Sequence, residues 1–236
     1  YYKSGKPEDA NASKFWIKVF TTTFAIGGFG SSTIQSVVTE GESVGYLRGS
    51  RAPLKDDGSV QIDKLQNLGN TLPDCYGTLA LNVRWKQLNV FANGDYQMGA
   101  NVHSYDAQFR FRNGLKIANV PDELLMALGM NADGSNRWLI QKNNWTNLTN
   151  YFVYHSDFLK IRQVGIDYTF RKPFKFVQQV KLGFTVNNPF TVTDCPCDPE
   201  ATVSSTQTQG AVATGGFNYA TYSAPRQYLG SISVSF

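Results

Sequence analysis

The last ten residues, QYLGSISVSF, alternate between apolar and small polar side chains, and this alternation limits what the chain can fold into. Successive side chains of a β-strand point to opposite faces, so a strand through 227–236 has one mainly apolar face and one mainly polar face. The apolar face carries Tyr228, Gly230, Ile232, Val234 and Phe236. The polar face carries Gln227, Ser231, Ser233 and Ser235, with Leu229 as the exception. Such a strand suits a wall between lipid and a wet lumen, or the final half-buried strand of a soluble sandwich.

The same period of two recurs along the chain and predicts an all-β fold. Clean alternation extends over residues 76–86, 88–98, 159–170 and 180–187, and a less regular form extends over 15–26 and 33–47. Together with the C-terminal segment these make seven predicted strands in antiparallel order. The polar side chains that we expect to face a lumen are Asn82, Arg84, Asn93, Asp95, Gln163, Asp167, Lys181 and Asn187. Phe91 breaks the pattern on the polar side.

Short and long connections alternate between these predicted strands. The short ones are 27–31, 86–87 and 171–176, and the long ones are 49–75, 103–157 and 194–223. Short turns on one side of the sheet and long loops on the other are typical of outer-membrane β-barrels. We expect the first short-turn residues after 159–170, Arg171-Lys172-Pro173, to end that strand, because proline cannot continue a paired ladder.

One segment of the longest loop departs from β-structure. Residues 121–129 read as a short helix, since proline and two acids open the segment and glycine follows its end. No other segment looks helical. We therefore predict a surface lid element rather than a core helix.

Composition and charge exclude several classes of function. The net charge of +4 is scattered and forms no Lys/Arg run, so we expect no nucleic-acid partner. The sequence has no run of about 18 apolar residues, which a transmembrane helix would require. The chain opens on Tyr1 without a signal peptide, which predicts that it is part of a longer or split protein.

The sequence predicts no catalytic, cofactor or metal site. Cys195-Pro196-Cys197 is either a metal or redox pair or a loop segment with a disulfide or free thiols, and Cys75 stands apart. His103 and His155 are the only histidines, and neither has neighbouring ligands at metal-binding spacing. No pairing of a nucleophile with a base can be defended. We therefore do not expect an enzyme.

Four ordered stretches together resemble the C-terminal barrel portion of the SusC/RagA family of TonB-dependent outer-membrane transporters. They are Asn-Leu-Gly-Asn at 67–70 with Leu72, Pro73 and Gly77; residues 157–170; Asn-Asn-Pro-Phe at 187–190 leading to Asp198-Pro199-Glu200; and Pro225-Arg226 with Gly230 and Phe236. Their order and spacing match over about residues 30–236. The chain departs from the family pattern at Pro189, where leucine is usual, and at 57–63, a poor copy of an Asp/Gly-rich loop.

The resemblance implies a Gram-negative outer-membrane barrel of about 22 strands with a plugged lumen. Residues 1–236 would supply its last strands, and an N-terminal part outside this sequence would supply the early strands, the plug and the TonB contact. A SusD-like lipoprotein would cover the extracellular mouth, and the imported substrates would be oligosaccharides or peptides. The terminal Tyr228, Ile232, Val234 and Phe236 would form the barrel assembly signal.

Two other interpretations stay open at this point. A SusC-like barrel could serve as a structural component of an outer-membrane assembly or secretion complex. The chain could also be a secreted all-β binding module.

Side chains of the longest loop supply a candidate contact surface for the substrate or the lipoprotein. Aromatic rings stack on sugars and amides hydrogen-bond to sugars or peptides, so we single out Trp138, Asn143, Asn144 and Trp145. The alternative is that these residues pack the loop against itself.

Overall fold

A computed structural model describes residues 24–28, 34–115, 117, 119–129, 147–202, 216–219 and 221–236. The strands, in chain order, are β1 Phe24–Gly28, β2 Ile34–Val38, β3 Tyr46–Arg51, β4 Asp63–Asn70, β5 Cys75–Trp85, β6 Leu88–Met98, β7 Asn101–Ser104, β8 Val153–His155, β9 Phe158–Phe174, β10 Val177–Thr193, β11 Phe217–Asn218 and β12 Gln227–Ser235. The helices are α1 Tyr105–Arg112, α2 Asp122–Ala127 and a 3-10 helix, η1, Thr149–Phe152. The prediction of an all-β fold is confirmed, and the pairing is mainly antiparallel.

The chain divides into two compact units. Unit 2, formed by residues 73–100, 155–201 and 220–236, contains a five-stranded antiparallel sheet in the order β12-β10-β9-β6-β5. All five of its strands fall on segments whose alternation predicts them. β5 and β6 are joined by the predicted tight turn at 86–87, where Lys86 adopts a positive φ of 55°.

Strands β9 and β10 are longer than the alternation indicates, because bulges carry them past two prolines. The prediction that Arg171-Lys172-Pro173 ends a strand is wrong. Lys172 takes a φ of 46°, the register shifts by one residue, and pairing resumes at Phe174 with Val177. β10 likewise continues past Pro189, with Asn188 at a φ of 50° and a second register shift beside it. A bulge leaves the extra residue outside the ladder, and that is where proline is tolerated.

Unit 1, formed by residues 1–72, 101–154 and 202–219, carries two smaller sheets. One is antiparallel with the order β1-β2-β3-β4, and the other has the order β11-β7-β8 with β11 parallel to β7. The single strand predicted over 33–47 is divided into β2 and β3, because Gly41 and Gly45 adopt positive φ values of 83° and 81° in the turn between them. Of the strand predicted over 15–26, only residues 24–26 lie within the described part of the chain, in β1.

Two helices pack in unit 1, where the sequence predicts only one. Ser104 caps the N-terminus of α1, because its side-chain oxygen accepts a hydrogen bond from the backbone N–H of Ala107 at 3.2 Å. Asp106 in its first turn and Arg112 in its last complement the helix dipole. Residues 122–127 are helical as predicted, and Gly129 follows with a φ of 80°.

The expectation that the second helix is a surface lid is wrong. Leu124 and Leu125 of α2 are buried and join a hydrophobic core whose other members are Ala52, Ala107, Phe111, Ile117, Val120, Leu148 and Phe152. Thr149 ties η1 to β3, since its hydroxyl accepts from the Ser50 N–H at 2.8 Å and donates to the Ser50 carbonyl at 2.7 Å. The long predicted loops 49–75 and 103–157 therefore contain a core with its own strands and helices, and the count of seven strands is too low.

Candidate membrane-facing sheet and charged cluster

The five-stranded sheet of unit 2 has one continuous apolar face. Register brings apolar side chains of all five strands into rows that cross the sheet. Three of these rows are Trp85, Leu88, Tyr168, Leu182 and Ile232; Val83, Val90, Ile166, Phe184 and Gly230; and Leu81, Ala92, Val164, Val186 and Tyr228. The face stays open, with Ile232 75% and Phe184 50% exposed. A soluble monomer rarely exposes so large an apolar patch.

The predicted assembly-signal residues lie on this face. Tyr228, Ile232 and Val234 project from β12, and Phe236 follows the strand in the same alternation, 82% exposed. Among the described residues, β12 and β5 are the two edges of the sheet, each paired on one side. Both edges therefore present backbone donors and acceptors to a further strand.

The opposite face is polar, and the eight side chains expected to face a lumen share it. Gln163 donates to Asn187 at 3.1 Å, and Asn187 donates to Gln227 at 3.4 Å, so amides link β9, β10 and β12. Lys181 and Asp167 form an ion pair at 3.0 Å. Cross-strand pairs of this kind fix the register of a sheet.

The two apolar exceptions on the polar face occupy one row. Register places Asn82, Phe91, Gly165, Thr185 and Leu229 side by side. The Phe91 ring lies over Gly165, where a Cβ atom would stand 2.3 Å from the ring Cζ. Glycine at 165 makes the space for the ring, so the contact accounts for the departure from the pattern at Phe91 on β6.

A cluster of five charged side chains, Asp95, Lys160, Arg162, Asp198 and Glu200, lies where this polar face meets the loop after β10. We call these residues the charged cluster. The Lys160 ammonium lies 2.5 Å from the Asp198 carboxylate and 2.7 Å from Glu200. Arg162 lies 2.6 Å from Asp95 and also pairs with Glu200. Glu200 thus joins the two cations.

A bulge in β9 makes the charged cluster possible. β6 pairs Asn93 with Gln163 and then Gly94 with Ile161, so Arg162 is the extra residue. Strict alternation would send Arg162 to the face opposite Gln163, whereas the bulge lets it reach Asp95 on the polar face. The Lys160 side chain is only 8% exposed, so its charge depends on the two carboxylates of the loop.

Asp198 is ionised within the charged cluster. Burial opposes ionisation, but hydrogen bonds from Lys160 and from the Glu200 backbone N–H outweigh it and hold the pKa of Asp198 below its usual value.

The loop before Asp198 contains a disulfide between Cys195 and Cys197. Of the interpretations of the Cys-Pro-Cys motif, the structure therefore shows the loop disulfide. Cys75 is free and exposed.

Sequence reasoning missed the charged cluster although it noticed its parts. Residues 157–170 and Asp198-Pro199-Glu200 belong to two of the four stretches that carry the family resemblance. The available signal was a Lys-x-Arg pair on a strand and an Asp-x-Glu pair in a loop, with equal spacing and opposite charge. Nothing in the sequence pattern indicated that Asp198, 38 positions after Lys160, lies beside it in the structure.

His103 is buried within unit 1. Its ring lies between Tyr105 and Phe217, with ring centroids 6.0 and 6.2 Å away. Burial, only partly offset by the nearby Gln108 side chain, lowers the pKa of His103 to about 3, so the imidazole is neutral. Within the described ranges, no group of three His, Cys, Asp or Glu side chains could hold a metal ion.

Trp138, Asn143, Asn144 and Trp145, the candidate contact residues, lie outside the described residues, and their role stays a prediction. None of the helices in the described part of the chain is both long and apolar enough to cross a membrane.

The fold is shared with a known transporter. The solved structures that match include the RagAB peptide importer in its open-open state, the same importer in its closed-closed state, and the RagAB peptide transporter, with TM-scores of 0.56, 0.51 and 0.58. Their sequence identities to this chain are 14%, 15% and 14%, and they cover 91%, 86% and 91% of it. This chain spans about a quarter of their length, at 24%, 26% and 24%. No protein-family model and no curated protein matches the sequence.

Proposed function

We propose that this chain is the C-terminal barrel portion of an outer-membrane import protein. The observation that carries the proposal is the apolar face, exposed and continuous across five strands and opposite a polar face. Strands with lipid on one side and a wet lumen on the other require this arrangement. The fold shared with the RagAB importer over 91% of the chain supports the same conclusion.

In this proposal the chain supplies wall, lumen lining and extracellular loops. The apolar rows contact lipid, the amide and ionic side chains of the polar face contact water or a plug, and the long connections lie on the extracellular side. The remaining strands, the plug and the TonB contact come from an N-terminal part of the protein. Import is TonB-dependent, and the work of this part of the chain is structural rather than enzymatic.

The substrates we propose are oligosaccharides or peptides, with a SusD-like lipoprotein as the partner at the extracellular mouth. A peptide is the first class to test, because the matching structures are of a peptide importer. The candidate contact residues for substrate or lipoprotein are Trp138, Asn143, Asn144 and Trp145.

Membrane integration is tested by placing a charge on each face of β12. Val234 lies on the apolar face and Ser235 on the polar face of the same strand. We expect Val234→Arg to destabilise the barrel by about 1–4 kcal/mol, depending on depth in the bilayer. Ser235→Arg is the matched control and should cost less. The measurement is the folded, heat-modifiable fraction of each variant in outer membranes.

Alkaline carbonate extraction completes this test. We expect the full protein to stay in the membrane pellet until detergent is added. Release by carbonate alone would contradict the proposal and favour the secreted binding module.

The partner and the substrate are tested by substituting within the long loop rather than deleting it. Residues 119–150 include core side chains such as Leu124 and Leu148, so removing that segment would unfold unit 1. We expect Trp138→Ala with Trp145→Ala to leave assembly intact and to reduce peptide uptake or co-purification of a lipoprotein. Normal assembly with both properties unchanged would favour a structural component of an assembly or secretion complex.

A further inference from the structure

We propose that the short-turn end of the five-stranded sheet binds the phosphate headgroup of a glycerophospholipid. The site is a cleft of about 450 Å³ between the β9–β10 turn and the residue that follows β12. Lys172, Phe174, Lys175, Phe176 and Phe236 line it, and we call these residues the rim cleft. The inference rests on the proposed function, because it requires the apolar face to lie in a membrane.

Register brings the parts of the rim cleft to one end of the sheet. Gln179 pairs with Ser235, so Phe236 lies beside the turn between β9 and β10. The β5–β6 turn lies at the same end, since the Thr169 N–H donates to the Gln87 carbonyl at 2.9 Å. At that turn the Lys86 ammonium stands 5.2 Å from the centre of the Trp85 ring. Both short turns thus combine aromatic rings with lysine.

The charge of the rim cleft suits an anion. Between Tyr168 and Thr193 the chain carries Arg171, Lys172, Lys175 and Lys181 and no Asp or Glu. Neither lysine of the rim cleft forms an ion pair with the described residues. Of the nearby acids, Asp167 is paired with Lys181 at 3.0 Å, and Asp198 and Glu200 lie in the loop that follows the opposite end of β10. This end of the sheet is therefore the cationic one.

The shape of the rim cleft suits a lipid rather than free phosphate. Phe174 is 71% exposed, Phe176 82% and Phe236 82%, and Phe236 continues the apolar alternation of β12. Exposed aromatic rings and long cationic side chains at the edge of an apolar surface are typical of a membrane–water interface. The two ammonium groups would pair with the phosphate while the rings meet the upper acyl chains.

The test uses native mass spectrometry to measure binding to the complete, delipidated protein in detergent. The compared ligands are dioleoylphosphatidylglycerol, dioleoylglycerol and inorganic phosphate. We expect the unaltered protein to retain phosphatidylglycerol in preference to dioleoylglycerol, and inorganic phosphate to compete weakly. Lys172→Gln with Lys175→Gln should lower phosphatidylglycerol retention by about fivefold per lysine and about 25-fold for the pair. Lys172→Arg with Lys175→Arg should preserve it.

Lys55→Gln with Lys64→Gln is the matched control, because both lysines are exposed and lie in unit 1. It should retain phosphatidylglycerol like the unaltered protein. Equal retention by the two glutamine pairs, equal binding of dioleoylglycerol, or full displacement by inorganic phosphate would overturn the inference. Carbonate extraction of the same preparations keeps the two proposals distinct: an integrated protein without lysine-dependent lipid retention contradicts the rim cleft alone, whereas release by carbonate contradicts the proposed function.

Discussion

Gly165 is the position at which the polar face of the sheet accommodates an aromatic ring. A side chain there would collide with Phe91, while a Cβ added at Gly230, on the apolar face, meets nothing within 4 Å. We expect Gly165→Val to displace the ring and destabilise the folded protein by about 1–3 kcal/mol. Gly230→Val is the control and should cost much less. The measurement is the urea dependence of the heat-modifiable fraction.

A double substitution separates the collision with the ring from any effect on strand propensity. Phe91→Ala in the Gly165→Val background should recover much of the lost stability, because it removes the ring that the valine displaces. Equal losses for Gly165→Val and Gly230→Val, or no recovery with Phe91→Ala, would show that the contact between residues 91 and 165 is not the cause.

His103 should make unit 1 sensitive to acid. Its pKa falls from 6.5 to about 3 on folding, so below pH 6.5 the unfolded chain binds a proton that the folded chain does not. Stability is therefore complete above pH 6.5 and declines as the pH falls towards 3. Between pH 7.5 and 5.0 the expected loss is about 2 kcal/mol. The measurement is the urea midpoint of the near-ultraviolet circular dichroism at both pH values.

Two histidine variants check that this acid sensitivity belongs to His103. His103→Gln should show a smaller difference between the two pH values, whatever its stability at pH 7.5. His155→Gln, at the exposed second histidine, should behave like the unaltered protein. An undiminished pH difference in His103→Gln would assign the effect to other groups.

At the scale of an element, the strands of unit 2 show which structural features the alternating sequence pattern predicts and which it does not. Alternation correctly predicts the five strands and the faces of their side chains, because successive side chains of a strand point to opposite faces of the sheet. The alternating pattern does not predict the bulges at Lys172 and Asn188. At each bulge a residue with a positive φ precedes a proline, and strand pairing continues beyond the proline. Alternation is a local signal, whereas a bulge is stabilised by the partner strand. The same reason hides the Arg162 bulge and with it the charged cluster.

The charged cluster should hold the loop after β10 against the sheet. Asp198→Asn leaves the nearly buried Lys160 with Glu200 as its remaining carboxylate. We expect a loss of about 1–3 kcal/mol in the local closing of the loop, measured as faster hydrogen exchange over residues 194–201. Asp194→Asn is the control, because Asp194 is exposed in the same loop. Equal exchange in both variants would argue against the cluster as the attachment.

The loop after β10 should stay attached to the sheet between pH 7.5 and pH 5.0, the range in which His103 destabilises unit 1. The pKa of Asp198 is lowered in the folded protein, so its contribution is present above the ordinary aspartate pKa of about 3.9 and is lost only as the pH falls through the lowered value. Exchange over 194–201, corrected for intrinsic rates, should therefore be the same at pH 7.5 and pH 5.0.

At the scale of the whole molecule, the predictability of the two units differs. Unit 2 follows from alternation, while the core of unit 1 joins segments as distant as Ala52, Phe111 and Phe152. Contacts across such separations have no local period, so the sequence presents these segments as loops. Of the candidate site, the apolar face and the terminal aromatic residue were predictable, and the charged cluster was not. The Ser104 cap of α1 was visible in the sequence and would have indicated that helix.

The open edges of unit 2 predict that residues 1–236 do not fold alone. β5 and β12 each offer an unpaired edge among the described residues, and unpaired backbone groups cannot remain in lipid. The isolated chain in detergent micelles should form aggregates or mixed oligomers. Under the proposed function, adding the remaining strands, in the same chain or separately, should restore a heat-modifiable species. A heat-modifiable monomer formed by residues 1–236 alone would refute this.

The apolar face also bears on how such a chain changes over evolutionary time. A side chain in a close-packed interior must match the shape of its neighbours, and most substitutions leave a void or a clash. Ile166, Phe184 and Ile232 instead meet a fluid if they face lipid, and a fluid adjusts to any apolar contour. Leucine, valine, isoleucine and phenylalanine can therefore replace one another there with little penalty, as long as the period of two is kept. Tolerance of this kind is consistent with a fold shared at only 14% identity, as this chain and the RagAB importer share theirs.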